Sequence, residues 1–366
     1  MKLAFYIPSL GVGGAERVVV NLSNEFSKRG HSVDLVTSDK GGKLRNEVSK
    51  DVDLIQHSPL NVPGYSSIGS VPFLSRYLKQ NEPEWLYSAM NHANIPAIIS
   101  GHVSDSDTNI MISEHNTPSR LINHSYGNKI IYSMARYLYP HSDCIITVSD
   151  GVKRDLVNEV NISPDKLKTV YNPIVTPSLI QNSSKGVEHP WFKSDDIDVI
   201  LGMGRLHPQK RFSDLIRAFS RVDSHNSRLV IIGTGQEREK LEQHVNELNI
   251  NDQVDFLGYV ENPYKYLRNS SVFALSSAWE GFGNVLVEAL ACGCPVVSTN
   301  CPNGPNEILA DGEYGTLVPV GDIESLSSAI ERTIKKEINQ TTLKKRADDF
   351  HVDEIADQYE LLFEQL

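Results

Sequence analysis

Residues 273–299 read FALSSAWEGFGNVLVEALACGCPVVST, and this stretch decides the fold class. It begins with a β-rich run, turns over Ala278–Gly283, and continues as a helix predicted to begin near Asn284. Gly293 and Pro295 end that helix, because glycine suits the left-handed residue after a helix and proline cannot continue it. The following run, PVVSTN, is again typical of a strand. A strand, a helix and a second strand in this order predict a parallel α/β sheet.

The same alternation extends along the whole chain of 366 residues, a length that suggests two domains. The alternation lapses over residues 172–196, which are rich in Pro, Ser, Asn and Gly and form a linker candidate. We therefore expect domains over residues 1–175 and 176–345, and a C-terminal helix over residues 346–366 that packs back toward the first domain. The predicted strands are LAFYIP, SVDLVTS, EWLYSA, NIMISE, CIITVS, DVILGMG, RLVIIGT, VDFLGY, VFALSS, PVVSTN and GTLVPV.

Composition and charge exclude several classes of protein. The net charge of −11 argues against a general nucleic-acid coat. No apolar run approaches the roughly 18 residues that a membrane span needs, and the N-terminal MKLAFYIPSLGVGG is interpreted as a first strand rather than a signal peptide. Residues 1–175 carry 17 basic and 17 acidic residues, so this neutral half could approach an anionic membrane more easily than the acidic second half.

The four cysteines have two interpretations. Cys292, Cys294 and Cys301 cluster in the sequence, but a zinc site would need a fourth ligand nearby, and Cys144 is remote. We favour small buried thiols in a reducing cytoplasm.

A glycine-rich turn follows the first predicted strand in SLGVGGAERVV, residues 9–19. Gly11, Gly13 and Gly14 resemble a dinucleotide fingerprint, although its third glycine would fall at Glu16. Glycines allow close backbone approach to a ligand, and the following helix start offers N–H groups to an anion. A tight turn without ligand is the alternative.

Two cations follow a strand in GMGRLHPQKRF, residues 202–212. Arg205 supplies a planar fork of donors and Lys210 a compact charge, so the two together could bind a pyrophosphate. The alternative is a pair of solvated loop charges.

Two acids and one histidine complete the candidate residues. Glu280 lies in a turn, and Glu288 lies on the helix NVLVEALAC, which is apolar nearly all round. A buried carboxylate there needs hydrogen-bond partners, which ribose hydroxyls could supply. His115, in ISEHNTPS, follows a strand, and ligands of parallel sheets bind beyond the carboxyl ends of strands. A partly exposed acid and a structural histidine are the alternatives.

Together these stretches resemble the retaining GT-B glycosyltransferases with the E-x7-E signature, a group similar to glycosyltransferase family 4. The resemblance covers nearly the whole chain. It rests on VGGAERVVVNLSNEFSKRGHSVDLVT, VSDGVKRDLV followed by YNP, GRLHPQKRFSDLIRAF, GTGQEREKLE, VDFLGYV and EGFGNVLVEALACGCPVVST. It implies two Rossmann-like domains whose parallel sheets face each other across a cleft, the first binding the acceptor and the second the nucleotide sugar.

The resemblance also implies roles for residues outside the glutamate motif. Arg205 and Lys210 are expected to hold the donor pyrophosphate, and Gly14 to bring its backbone to the donor phosphate. His115 is similar to a strand-end histidine near the reacting sugar. The chain departs from the family pattern at Arg211, where glycine is common, and at Asn116, which follows the histidine.

Within the motif, the resemblance assigns Glu280 to hydroxyls of the donor sugar and Glu288 to the ribose. Gly283, Asn284 and Val285 are expected to present the start of the helix to a phosphate. The residues expected to act in catalysis are Glu280, Lys210, Arg205 and His115.

The resemblance therefore implies a retaining transferase that moves a hexose or N-acetylhexosamine from a nucleoside-diphosphate sugar to a glycan. UDP is favoured over GDP, and neither a metal nor another cofactor is expected. The acceptor is expected to be lipid-linked, in polysaccharide or O-antigen biosynthesis at the inner face of the cytoplasmic membrane, with a peripheral membrane contact and no nucleic-acid partner.

Three alternatives remain open. A sugar phosphorylase or nucleotide-sugar epimerase could use the same fold, and an inactive nucleotide-sugar-binding subunit could keep the same motifs. An NAD-dependent dehydrogenase would rest on the first glycine-rich turn and on Asp39 after the second strand.

Overall fold

The structure is a computed structural model that describes residues 1–38, 41–62, 66–122, 125–223 and 226–365. It forms two compact units. The first unit comprises Met1–Pro173 together with Val352–Leu366, and the second comprises Ile174–His351.

Helices and strands alternate in both units. The strands are β1 (Lys2–Tyr6), β2 (Ser32–Thr37), β3 (Asp53–Gln56), β4 (Trp85–Ala89), β5 (Asn109–Glu114), β6 (Cys144–Thr147), β7 (Leu167–Thr169), β8 (Asp198–Met203), β9 (Ser227–Ile232), β10 (Val254–Gly258), β11 (Val272–Leu275), β12 (Val296–Thr299) and β13 (Thr316–Val318). The helices are α1 (Gly14–Lys28), α2 (Val71–Asn81), α3 (Asn91–Ser104), α4 (Pro118–Leu121), α5 (Tyr126–Leu138), α6 (Asp150–Asp155), α7 (Pro177–Ser183), α8 (Phe212–Phe219), α9 (Arg238–Glu247), α10 (Tyr264–Arg268), α11 (Asn284–Cys292), α12 (Pro305–Ile308), α13 (Ile323–Ile334), α14 (Gln340–Asp348) and α15 (Val352–Gln365).

The first unit has a parallel sheet, which in the described residues has the strand order β3-β2-β1-β4-β5-β6-β7. The order reverses between β1 and β4, so this pair forms the topological switch point where ligands of open α/β sheets bind. Strands β1 and β4 are buried almost throughout, as expected for a parallel sheet covered on both faces.

The second unit repeats the arrangement. Its parallel sheet has the order β10-β9-β8-β11-β12-β13 over the described residues, with the switch point between β8 and β11. The two parallel sheets confirm the prediction of two Rossmann-like α/β units. Each strand predicted from the sequence is present, whereas β3 and β7 were missed, because DLIQ and LKT are short and contain polar residues.

The C-terminal helix α15 packs against α1 within the first unit. Phe363 contacts Phe26 and Trp85 through their rings, at centroid distances of 5.6 and 5.3 Å. The Arg29 guanidinium donates to the Glu360 carboxylate at 2.9 Å, so an ion pair supports the apolar contact.

The second unit spans Ile174–His351, and the segment suggested as a linker, residues 172–196, contains α7. All four cysteines are buried free thiols, as the first part of the favoured interpretation predicts. Across the described ranges, no helix is both long and apolar enough to cross a bilayer. In the same ranges, no group of three or more His, Cys, Asp or Glu side chains is placed to hold a metal ion.

Candidate active site

The candidate site of the second unit lies at its switch point. The loop after β8 contains Arg205 and Lys210, and the loop after β11 contains Glu280. Because β8 and β11 are adjacent and parallel, their carboxyl ends bring these two loops to the same edge of the sheet. The topology therefore unites residues that are 70 positions apart in the chain.

Lys210 and Glu280 form a direct ion pair. The Lys210 ammonium donates to Oε1 of Glu280 at 2.6 Å, and the two side chains are only 15% and 9% exposed. Lys210 reaches the acid by packing over Gly204, where an added Cβ would lie 3.1 Å from Lys210 Cε. A larger residue at position 204 would therefore require the lysine side chain to shift by a few tenths of an ångström.

Further hydrogen bonds hold the two loops together. Ser277 donates its hydroxyl to Oε1 of Glu280 at 2.6 Å, and Ser276 donates to the Lys210 carbonyl at 2.7 Å. The Gln209 side-chain amide donates to the Trp279 carbonyl at 2.8 Å. Sequence reasoning missed these supports, although the two serines directly follow a buried strand and so pointed to its carboxyl end.

Helix α11 begins at the same edge of the sheet. Its N-cap, Gly283, has φ 103°, a left-handed conformation that favours glycine, and the residues after it are Asn284 and Val285, both half-buried. The first turn of a helix points backbone N–H groups toward its N-terminal end, where they can bind an anion. Glu288 lies one turn further along, 7% exposed on an otherwise apolar helix.

Arg205 and Cys301 also lie at this edge of the sheet. Arg205 is exposed in the same loop as Lys210. Cys301 follows β12 and is buried; burial, and then the charge of Glu280, raises the pKa of its thiol to about 12. Cys301 is therefore an uncharged thiol beside the ion pair at neutral pH.

The first unit carries the other two predicted residues. Gly14 begins α1 after the glycine-rich turn and is exposed. His115 follows β5 and is half-buried, and burial lowers the pKa of its imidazole to about 4. Its Nε2 is joined to Ser113 Oγ by a hydrogen bond of 3.1 Å. His115 is therefore a neutral ring at physiological pH, able to exchange hydrogen bonds with a ligand.

A buried acid beside His115 was missed at the level of sequence. Glu114 is fully buried as the last residue of β5, and burial raises its pKa to about 7. It accepts a hydrogen bond from the Tyr139 hydroxyl at 3.0 Å. In the sequence, only its position next to His115 pointed to Glu114, because its partner Tyr139 lies 25 residues away.

Comparison with known proteins identifies the family. The family described as "Glycosyltransferase Family 4" matches residues 12–176, and "Glycosyl transferases group 1" matches residues 188–350. A Campylobacter jejuni protein, N-acetylgalactosamine-N,N'-diacetylbacillosaminyl-diphospho-undecaprenol 4-alpha-N-acetylgalactosaminyltransferase, is 31% identical over 94% of this chain and 93% of its own length. The chain belongs to the GT-B glycosyltransferases of the family 4 type.

Two further proteins place this glycosyltransferase among its relatives. A second Campylobacter jejuni enzyme, GalNAc-alpha-(1->4)-GalNAc-alpha-(1->3)-diNAcBac-PP-undecaprenol alpha-1,4-N-acetyl-D-galactosaminyltransferase, is 28% identical over 98% of this chain and 97% of its own length. The solved structure of Anabaena HepE in complex with UDP-glucose has the same fold, with a TM-score of 0.82, 19% identity and complete coverage of both chains.

The prediction that this chain is a glycosyltransferase with a GT-B fold is thus confirmed. The family assignment leaves the dehydrogenase hypothesis without support, and Asp39, on which that hypothesis depended, lies outside the described residues. The individual roles of Gly14, Arg205, Lys210, His115 and the α11 residues stay predictions.

Proposed function

We propose that this glycosyltransferase moves a hexose or N-acetylhexosamine from a UDP-sugar to a lipid-linked glycan, with retention at the anomeric carbon and without a metal. The acceptor would place the enzyme at the cytoplasmic face of a membrane, in polysaccharide or O-antigen assembly. The observation that carries the proposal is the ion pair of Lys210 and Glu280 at the switch point, beside the start of α11.

The acceptor class is supported by the names of the relatives. Both Campylobacter jejuni enzymes are named as N-acetylgalactosaminyltransferases that act on undecaprenol-diphosphate-linked sugars. The match extends over more than nine-tenths of this chain and of each relative, so the acceptor-binding part of the relatives is included in the comparison.

The second unit offers positive groups where the leaving diphosphate would need them. As the bond between the sugar and the diphosphate breaks, negative charge grows on the phosphate oxygen, and preorganised donors lower the barrier. Lys210, Arg205 and the N–H groups at the start of α11 are such donors. They supply the charge stabilisation that a divalent cation supplies in metal-dependent transferases.

Glu280 is suited to positioning the sugar rather than attacking it. Its Oε1 already accepts two short hydrogen bonds, from the ammonium of Lys210 and the hydroxyl of Ser277, and these weaken it as a nucleophile. We therefore favour front-face attack by the acceptor hydroxyl, whose proton passes to the leaving phosphate oxygen. That route retains configuration without a covalent enzyme intermediate.

Nucleotide binding is the first test. At a concentration about 100 times its Kd, UDP is expected to raise the melting temperature by about 5–10 °C, because it binds only the folded state. GDP at the same concentration is expected to raise it less. A larger shift with GDP than with UDP would contradict the donor assignment, and no shift with any nucleotide or nucleotide sugar would contradict the proposed site.

Product analysis separates the transferase from its alternatives. With a UDP-sugar and a lipid-linked acceptor, we expect UDP and an extended glycan in equal amounts. An isomerised nucleotide sugar formed without acceptor would indicate an epimerase, and sugar phosphate formed with inorganic phosphate would indicate a phosphorylase. An inactive subunit would yield none of these products.

Metal independence gives a separate expectation. Millimolar EDTA should leave the initial rate within about twofold of the untreated enzyme, because Lys210 and the helix amides stabilise the diphosphate. The measurement is UDP release in EDTA, in Mg²⁺ and in Mn²⁺, after dialysis against chelator. A rate that disappears with EDTA and returns with either cation would show that a metal takes part.

A further inference from the structure

The carboxyl end of β5 holds buried polar side chains to which the proposed function gives no role. Glu114 on β5, Asn94 on α3 and Tyr139 after α5 are all essentially inaccessible to solvent. An ionisable carboxyl is costly to bury unless it is hydrogen-bonded. The hydrogen bonds of Glu114 connect it to the loop that carries His115.

Glu114 fixes the loop on which His115 lies. Its Oε1 accepts the backbone N–H of Asn116 at 3.0 Å, and its Oε2 accepts the Tyr139 hydroxyl at 3.0 Å. The carboxyl thus joins the backbone immediately after His115 to the end of α5. A movement of this loop would break the partly buried hydrogen bond from the Asn116 N–H to Glu114.

Asn94 connects the Tyr139 hydroxyl to the backbone of β5. Its side-chain amide donates to the Tyr139 hydroxyl at 3.2 Å and to the Ser113 carbonyl at 3.0 Å. Ser113 in turn bonds through its hydroxyl to the imidazole of His115. The backbone after His115 and the ring itself are therefore held by one connected network.

The same network supports a strained residue. Met90, at the end of β4, has φ 78° and ψ 143°, a conformation that residues other than glycine rarely adopt. Its N–H donates to the Ser113 carbonyl at 3.1 Å. Strain of this kind persists only where surrounding contacts hold it, and it concentrates at functional sites. The switch strand β4 and the histidine thus share Ser113 as an anchor.

We propose that Glu114 is a positioning residue for His115 and acts through Tyr139 and Asn94 to hold the imidazole in one orientation. The inference deepens the proposed function, because it depends on His115 acting near the reacting sugar. Orientation matters to rate, since a displacement of about 1 Å in a reacting group can cost roughly 100-fold.

A direct test observes the ring itself. In the full-length protein labelled with ¹³C-histidine, the His115 signal is identified by its loss in His115→Gln. Tyr139→Phe and Glu114→Gln are expected to shift or broaden this signal. The matched control is Tyr77→Phe, because the buried Tyr77 hydroxyl also donates to a buried carboxylate, that of Asp34, in the same unit. An unchanged His115 signal in both network variants would overturn the proposal.

The kinetic test uses the same variants. Tyr139→Phe should lower kcat about tenfold more than Tyr77→Phe does, at comparable melting temperatures. In a His115→Gln background the additional loss from Tyr139→Phe should fall below about twofold, because the residues act as a unit. If Tyr139→Phe lowered kcat by the same factor in the wild type and in His115→Gln, the inference would be overturned. If the wild-type enzyme transfers no sugar, the proposed function fails, while the ring signal still decides whether Glu114 positions His115.

Discussion

Lys210→Ala is expected to lower kcat by about 10²–10³-fold, the loss typical of removing one preorganised donor from a developing anion. Lys210 lies at the switch point of the second unit, 2.6 Å from Glu280, and its side chain is 15% exposed. A diphosphate bound at the start of α11 would compete with Glu280 for this ammonium. The measurement is single-turnover transfer at saturating UDP-sugar, so that weaker binding does not obscure the chemical step.

Stability has to be separated from catalysis in this experiment. Without Lys210, the buried Glu280 carboxylate loses its ionic partner, and breaking such a pair costs about 3–5 kcal/mol. The double variant Lys210→Ala/Glu280→Gln removes the unpaired charge and should recover most of the lost melting temperature. Because Glu280 is itself expected to position the sugar, the reference is Glu280→Gln alone, and the turnover of the double variant should lie far below that of this single variant. Equal turnover of the two would show that Lys210 acts only in folding.

Arg211→Gly is the control for removing a cation from the same loop. Arg211 has φ 47°, which glycine adopts without strain, and its side chain pairs with Asp214 rather than with the glutamate of the site. We expect turnover within about threefold of wild type, since the lost contact is a partly exposed ion pair. A loss as large as that of Lys210→Ala would point to the net charge of the loop instead of one positioned ammonium.

The sequence predicted the sheets well because their strands are buried on both faces. Runs such as RLVIIGT and DVILGMG have few polar residues, and their prediction requires no knowledge of neighbours. The two edge strands of the first sheet are different. Strands β3 and β7 lie at the two edges of the first sheet, where a short polar sequence is sufficient because only one side is paired.

The candidate site was predicted only in part, and the limit is physical. Lys210 and Glu280 were both chosen from the sequence, yet their contact depends on β8 and β11 being neighbours, which chain order alone does not give. The helix α11 was predicted within one residue, because glycines mark both of its ends. Local signals therefore located the elements, and the topology determined which side chains meet.

The network below His115 shows what local patterns cannot reveal. Glu114 is the last residue of a buried strand, a position at which the hydrophobic pattern does not predict an acid. Its partner Tyr139 lies 25 residues away, and Asn94 lies 45 residues before Tyr139. The packing of α3 and of the end of α5 on the sheet brings these three residues together. The role of the buried acid can therefore be inferred only from the tertiary structure.

Glu288→Gln is expected to weaken UDP binding by about 10- to 100-fold, which corresponds to the loss of a charge-assisted hydrogen bond. Glu288 is 7% exposed and lies one turn inside α11, the helix whose first N–H groups would face the phosphate. A buried carboxylate accepts hydrogen bonds from two adjacent ribose hydroxyls better than an amide does, because it has no donor to repel them. Isothermal titration calorimetry measures the change.

A ligand lacking those hydroxyls decides whether the loss comes from the ribose. If Glu288 binds the ribose, 2′,3′-dideoxy-UDP should bind wild type about as weakly as UDP binds Glu288→Gln, and the variant should discriminate little between the two nucleotides. Such non-additivity arises only when both changes remove the same interaction. Should the variant still prefer UDP as strongly as wild type does, Glu288 would instead support the helix, because an acid that bonds only to protein groups cannot sense the missing hydroxyls.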